Sequence, residues 1–214
     1  MKCYVYSALC CFASCFMAAA EAEALVDFDS PRELDNWAFE LGVAVITKND
    51  IGEIFSGNIT RGDGPAGGEI YQFKATKTLD ILTWNMAGKT FRPHVELPLC
   101  LEMVDENGRD PFLDYNASVQ LRWVDFPWNS KVQTSFAVGL GLSYSSKIYA
   151  MDLQRHPGED RSHLKFNLPI ELSFHLPGKH NERVSFYLAH QSGGFEFFDK
   201  GGVNSLGIAF SRTF

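Results

Sequence analysis

Residues 164–176 read LKFNLPIELSFHL, and their alternation decides the fold. Leu164, Phe166, Leu168, Ile170, Leu172, Phe174 and Leu176 share one face, opposite Lys165, Asn167, Glu171, Ser173 and His175. Side chains on a strand point alternately to its two faces, so period two predicts a strand with one apolar side. The same period recurs over 37–47, 69–82, 91–103, 115–123, 132–144, 184–192 and 205–214. That makes eight strands. Most exceed the usual 5 or 6 residues of soluble sheets and match the roughly 9–11 needed to cross a bilayer as a tilted strand.

The second face sets which way the sheet is turned. A soluble barrel or sandwich, the competing reading of alternation, puts its apolar face inside and a polar face in water. Here the opposite face mixes Arg92, Glu96, Arg122 and Glu171 with Gly139 and Gly141. Charged and very small residues fill a narrow eight-stranded lumen, while large aliphatics meet lipid. The expectation is an all-β, eight-stranded antiparallel transmembrane β-barrel, whose closure satisfies every backbone group. Pro98 and Pro169 fall inside strands, cannot donate to the ladder and are read as bulges.

The chain start fits export. Lys2, the uncharged run from Cys3 to Ala20 and the Ala20-Glu21-Ala22-Glu23-Ala24 spacing form a secretory signal over residues 1–24, cleaved after Ala22 or Ala24. An uncleaved anchor and a lipoprotein site at Cys15 are the alternatives. Residues 25–214 are then one barrel domain, and Cys100 is its single cysteine, so no intrachain disulfide forms. Without the signal the chain has 18 basic and 24 acidic residues, a net charge of −6, which argues against nucleic acid as a partner. With both termini in the periplasm, "VDFPWNSK" and "LPGKHNE" are short periplasmic turns. The connections at about 48–68, 105–114 and 147–162 are the longer external ones.

Phase then singles out a site. Val184, Phe186 and Leu188 point to lipid, so His190 and Ser192 continue that outward row at the end of strand seven. Leu206, Ile208 and Phe210 make Asn204 outward too, a cross-strand neighbour of Ser192. A hydroxyl, an imidazole and an amide therefore gather at head-group level. The plain reading is a solvated strand end. Arg155, His156, Arg161 and His163 offer lipid phosphates a basic loop or are simply solvated beside Glu159 and Asp160; His94 and His175 face the lumen. No metal spacing and no phosphate loop is present in the sequence.

The segment "HQSGGFEFFDKGGVNSLGIAFSRTF", with "FPWNS" and "GLGLSY" upstream, resembles the PagL-type lipid A 3-O-deacylases and the related acyloxyacyl hydrolases. The closing "GIAFSRTF" also resembles the C-terminal signal of bacterial outer-membrane barrels. The resemblance implies Ser192 as nucleophile, His190 as general base, and Gly193 and Gly194 amides as oxyanion donors. It implies lipid A of lipopolysaccharide in the outer leaflet as substrate, the bacterial outer membrane as location, and no cofactor. Two departures stand out. The family's acid falls on Asn204, with Glu196 or Asp199 as alternative acids, and Gly193 stands where the family carries Asn. A non-catalytic barrel with a structural or surface-binding role is the alternative.

Overall fold

The computed structural model describes residues 27–29, 36–86, 88–194 and 196–214; the expected signal, residues 1–24, lies outside them. Eight strands form a closed antiparallel barrel: β1 (Trp37–Thr47), β2 (Gly68–Met86), β3 (His94–Glu106), β4 (Phe112–Trp123), β5 (Thr134–Ser145), β6 (Leu164–Leu176), β7 (Lys179–Ser192) and β8 (Gly202–Thr213). Each pairs with its neighbours in sequence, and β8 closes on β1 from Asn204↔Thr47 to Thr213↔Ala38. Two three-residue strands, Asp27–Asp29 and Lys89–Phe91, add to the far end of β2. Short helices α1 (Ile51–Phe55) and α2 (Ala150–Arg155) sit in the first and third long connections. None of the described helices is long and apolar enough to cross a membrane.

Burial is inverted relative to a soluble protein. Leu41 is 66% exposed, Leu140 62% and Phe186 53%, whereas Glu40, Glu96, Arg122 and Glu171 are buried. A belt of exposed large hydrophobics on this scale is not a stable surface in water. It suits an apolar surrounding, with the backbone of the wall paired in a closed ladder except where Pro98 and Pro169 interrupt it.

The lumen is packed rather than open. Lys74 bridges Glu40 at 2.6 Å and Glu171 at 2.8 Å. Arg122 Nε lies 2.9 Å from Glu96, its Nη2 3.1 Å from Glu171, and its Nη1 donates to Ser135 and Ser173. These contacts join β1 through β6 across the interior. Toward the long-loop rim, Asp114 accepts from Ser143, Tyr149 and Gln191 at 2.6–2.7 Å. Tyr149 and Met151 fold in from the third connection to pack with Ile46, Ile70, Val104 and Phe112 as an apolar plug. The mid-lumen void beside Lys74, Cys100 and Glu171 is about 30 Å³, room for roughly one water.

The two strand prolines do not make bulges. Pro98 stays in register with Thr76, and Pro169 with Ala189. Each interrupts one ladder without shifting it: pairing of β3 with β4 resumes from Glu96↔Gln120 to Leu99↔Ala117, and of β5 with β6 from Val138↔Ile170 to Gly141↔Asn167. The missing N–H therefore costs a bond and leaves the in–out phase intact. The register shifts lie elsewhere, between Thr78 and Asp80 and between His175 and Leu176. The second long connection is also shorter than expected, because β3 runs to Glu106 and β4 starts at Phe112.

Because Arg122 stands between two buried carboxylates, its removal takes the cation from Glu96 and leaves Glu171 with Lys74 alone. Arg122→Ala is expected to destabilise the barrel by about 3–5 kcal/mol, the cost of breaking a buried pair on one side. Urea unfolding in detergent micelles, followed by tryptophan fluorescence, measures this; an unchanged midpoint would contradict the network's role.

Candidate active site at the long-loop rim of β7 and β8

Strand phase delivers His190 and Ser192 to the outer wall at the last turn of β7, as i, i+2 neighbours must be. Across the seam with β8, His190 pairs with Asn204 and Ser192 with Gly202. Asn204 is thus the direct neighbour of His190 and the diagonal neighbour of Ser192, a closer relation to the imidazole than to the hydroxyl. On the β6 side, Leu168 pairs with His190 and Phe166 with Ser192. Polar groups meet the apolar wall here.

His190 Nδ1 lies 2.6 Å from Asn204 Oδ1. The amide's other end donates from Nδ2 to the Asn49 carbonyl at 2.7 Å, and Thr47 Oγ1 donates to the Asn204 carbonyl. That second bond fixes the amide's orientation, since a flipped amide would set oxygen against oxygen. Oδ1 is a pure acceptor, so Nδ1 carries the proton and Nε2 keeps its lone pair. An imidazole held this way is oriented to take a proton at Nε2, with the amide in the role an acid has in other triads. Asn204 itself is buried under the first connection.

Ser192 is half-buried, and among the described residues its Oγ makes no hydrogen bond to His190. Contacts of this kind tighten in the substrate complex and are often open without it. The two glycines differ. Gly193 N–H donates to the Gly201 carbonyl at 2.8 Å, and an added Cβ would sit 2.0 Å from the Asp199 carbonyl oxygen. Its amide is committed to the loop. Gly194 has φ +66°, and a Cβ there would strike the Phe166 ring at 2.3 Å. No backbone bond takes the Gly194 N–H among the described residues, so of the two it is the amide left for an oxyanion. Phe166, Phe197 and Phe198 cluster beside it in tilted and edge-on contacts with ring centres 4.9–5.7 Å apart, forming an apolar shoulder next to Ser192.

The alternative acids stand apart from the imidazole. Glu196 is exposed at φ +76° and pairs with Lys200 at 3.4 Å. Asp199 accepts from Lys165 Nζ at 2.7 Å and from the Ser162 and Gly201 amides. Lys165 also reaches Asp152, and Arg161 lies against Asp152, Glu159 and Asp199. This buried cluster ties the third connection to the fourth and consumes Arg161. His163 Nδ1 meets the Ser145 carbonyl at 2.6 Å, and Arg155 binds the Lys48 and Gly202 carbonyls and Asp50. The basic loop residues are therefore mostly structural, and Arg155 clamps the first connection over Asn204. No group of three or more His, Cys, Asp or Glu side chains is set to hold a metal among the described residues.

Sequence reasoning missed Asn49 and Arg155 as supports, because Asn204 lies 155 residues from Asn49 and Lys48 107 from Arg155, which leaves no local pattern. No protein-family model, curated protein or solved structure matches the chain. The site is therefore read from its geometry.

Burial opposes ionisation of Asp199, but the hydrogen bonds from Lys165, Ser162 and Gly201 outweigh it and hold the carboxyl below its ordinary 3.8. A depressed carboxyl stabilises the fold above the unfolded value of about 3.9 and loses that contribution as pH falls through the lower folded value. Hydrogen exchange in residues 196–201 should stay slow from pH 7 to 5 and rise only below about pH 4. Loss of protection already at pH 5 would contradict this assignment.

Proposed function

We propose that the chain is an outer-membrane ester hydrolase that removes an ester-linked acyl chain from lipid A without a cofactor, its long-loop rim facing outward. The observation that carries this is the His190 Nδ1–Asn204 Oδ1 contact of 2.6 Å, with the amide locked by Asn49, on the lipid-facing side of the wall. The resemblance of the last strands to the lipid A deacylases supports the same reading.

The chemistry follows from the geometry. His190 Nε2 takes the proton of Ser192 Oγ as the oxygen attacks the ester carbonyl. Gly194 N–H receives the oxyanion. The C–O bond to the sugar then breaks, and the imidazolium returns its proton to the departing sugar oxygen. Water, deprotonated by the same nitrogen, attacks the acyl-serine; the bond to Ser192 Oγ breaks, the imidazolium returns its proton to that oxygen, and the fatty acid leaves. Asn204 keeps the ring in the productive tautomer; an amide gives less support to the imidazolium than a carboxylate does. Leu168, Leu188 and Leu206 below the site continue the wall along which acyl chains lie.

A second reading, a non-catalytic barrel, draws on the amide in place of an acid and on the open Ser192–His190 distance. Lipid A mass spectra from cells producing the wild type, Ser192→Ala and His190→Ala decide between them. The hydrolase reading expects a deacylated species with wild type, reduced at least about 10²-fold in either variant, the usual worth of positioned proton transfer. An acyl pattern unchanged by correctly inserted wild-type protein would sink it.

A further inference from the structure

Glu102 on β3 and Asp114 on β4 are direct cross-strand partners near the long-loop rim, both turned into the lumen and only 3% and 0% exposed. Facing pairs hold their Cβ atoms about 4.5–5.5 Å apart, and like charges so placed repel. The hydrogen-bond partners that the described residues give them are neutral. Asp114 Oδ2 accepts from Tyr149 and Gln191, and its Oδ1 from Ser143. Glu102 Oε1 meets the Gln72 amide at 3.5 Å and the Cys100 thiol at 3.7 Å. The cations deeper in the lumen are committed elsewhere: Lys74 to Glu40 and Glu171, Arg122 to Glu96 and Glu171. Two ionised carboxylates this deeply buried require a positive partner.

Three buried amides surround the pair. Gln72 stands opposite Glu102 in register, Asn116 lies two residues beyond Asp114 on the same inward face, and the Gln191 amide is bonded to Asp114. Each is more than nine-tenths buried, and Gln72 Oε1, Asn116 Oδ1 and Gln191 Oε1 have no hydrogen-bond partner among the described residues. Gln72, Glu102 and Asn116 also line the mid-lumen void of about 30 Å³; Lys74, which borders it too, is turned to its two glutamates. Water in the void would pair the amide oxygens and leave both charges. A proton shared by the carboxylates would cancel one charge and leave the oxygens unpaired. A divalent cation answers both needs.

We propose that Glu102 and Asp114, with the amide oxygens of Gln72, Asn116 and Gln191, bind one Ca²⁺ ion inside the barrel. Calcium is the cation these donors select. It takes about six to eight hard oxygens, from carboxylates and amide carbonyls alike, at about 2.3–2.6 Å in adaptable geometry. Mg²⁺ demands a stricter octahedron and keeps several waters, for which this void has no room. The ion ties β2, β3, β4 and β7 together below the rim. Through Gln191 it also braces the strand end that carries His190 and Ser192. The ion site does not depend on ester cleavage at Ser192.

The test refolds the protein from urea into neutral detergent micelles, in EDTA or in millimolar CaCl₂, and measures unfolding temperature and retained metal. Wild type should keep about one Ca²⁺ per chain after desalting and unfold at a temperature that rises with CaCl₂, because the ion binds only the folded state. Glu102→Gln keeps the shape of the side chain and removes one charge. It should retain no ion, lose the dependence on CaCl₂, and in EDTA unfold at a higher temperature than wild type does in EDTA, since the facing charges no longer repel. Asn116→Leu withdraws one oxygen and leaves both carboxylates, so it should need severalfold more CaCl₂ for the same rise. Wild type that unfolds at one temperature in EDTA and CaCl₂ and retains no metal overturns the site. So does a CaCl₂ dependence that survives in Glu102→Gln.

Discussion

Closure of β8 onto β1 is the contact on which the rest of the molecule depends. An open sheet in lipid would leave two rows of backbone groups without partners, each costing several kcal/mol. Joining the chain's last strand to its first removes both rows and forces every side chain to face either the lumen or the surroundings. The same seam carries Asn204 to Thr47 and so beneath the first connection, where Asn49 can hold its amide. Architecture and candidate chemistry thus share one set of hydrogen bonds.

Inversion of polarity follows from that constraint. With large apolar residues committed to the outside, the interior must be filled by groups small enough or paired well enough to be dry. Lys74, Arg122, Glu40, Glu96 and Glu171 meet this need by sharing partners across strands, each cation lying between carboxylates. At the long-loop rim an apolar plug takes over, with Tyr149 reaching down to Asp114. A wall held from within by such contacts is stiff. Stiffness is what the proposed site on its outer surface would require, since small displacements between a base and a nucleophile weaken proton transfer.

Much of this was legible in the amino acids, and the limits have physical causes. Alternation located β1 and β6 to the residue, since an unbroken period of two leaves no other register. On β2 it read through residue 82 without the register shift between Thr78 and Asp80, and the strand continues to Met86. The prolines misled because a missing donor was taken to imply an inserted residue, whereas the ladder simply skips a bond. The outward phase of His190, Ser192 and Asn204 was readable, but not that Asn204 faces the imidazole directly. That pairing depends on how the loop after Ser192 turns, and the turn is shaped by Gly193 against Asp199 and Gly194 against Phe166. The Asp152–Arg161–Lys165–Asp199 cluster was invisible for the same reason: loop-to-loop partners have no sequence period.

The central claim is that an amide, held by a backbone carbonyl, sets the tautomer of His190. Nitrogen-15 NMR of the imidazole in the micelle-embedded protein measures this directly at a pH where the ring is neutral. The account predicts a protonated Nδ1 and a bare Nε2 in wild type, with that preference lost in Asn204→Ala. A proton resident on Nε2 in the wild-type protein would contradict it.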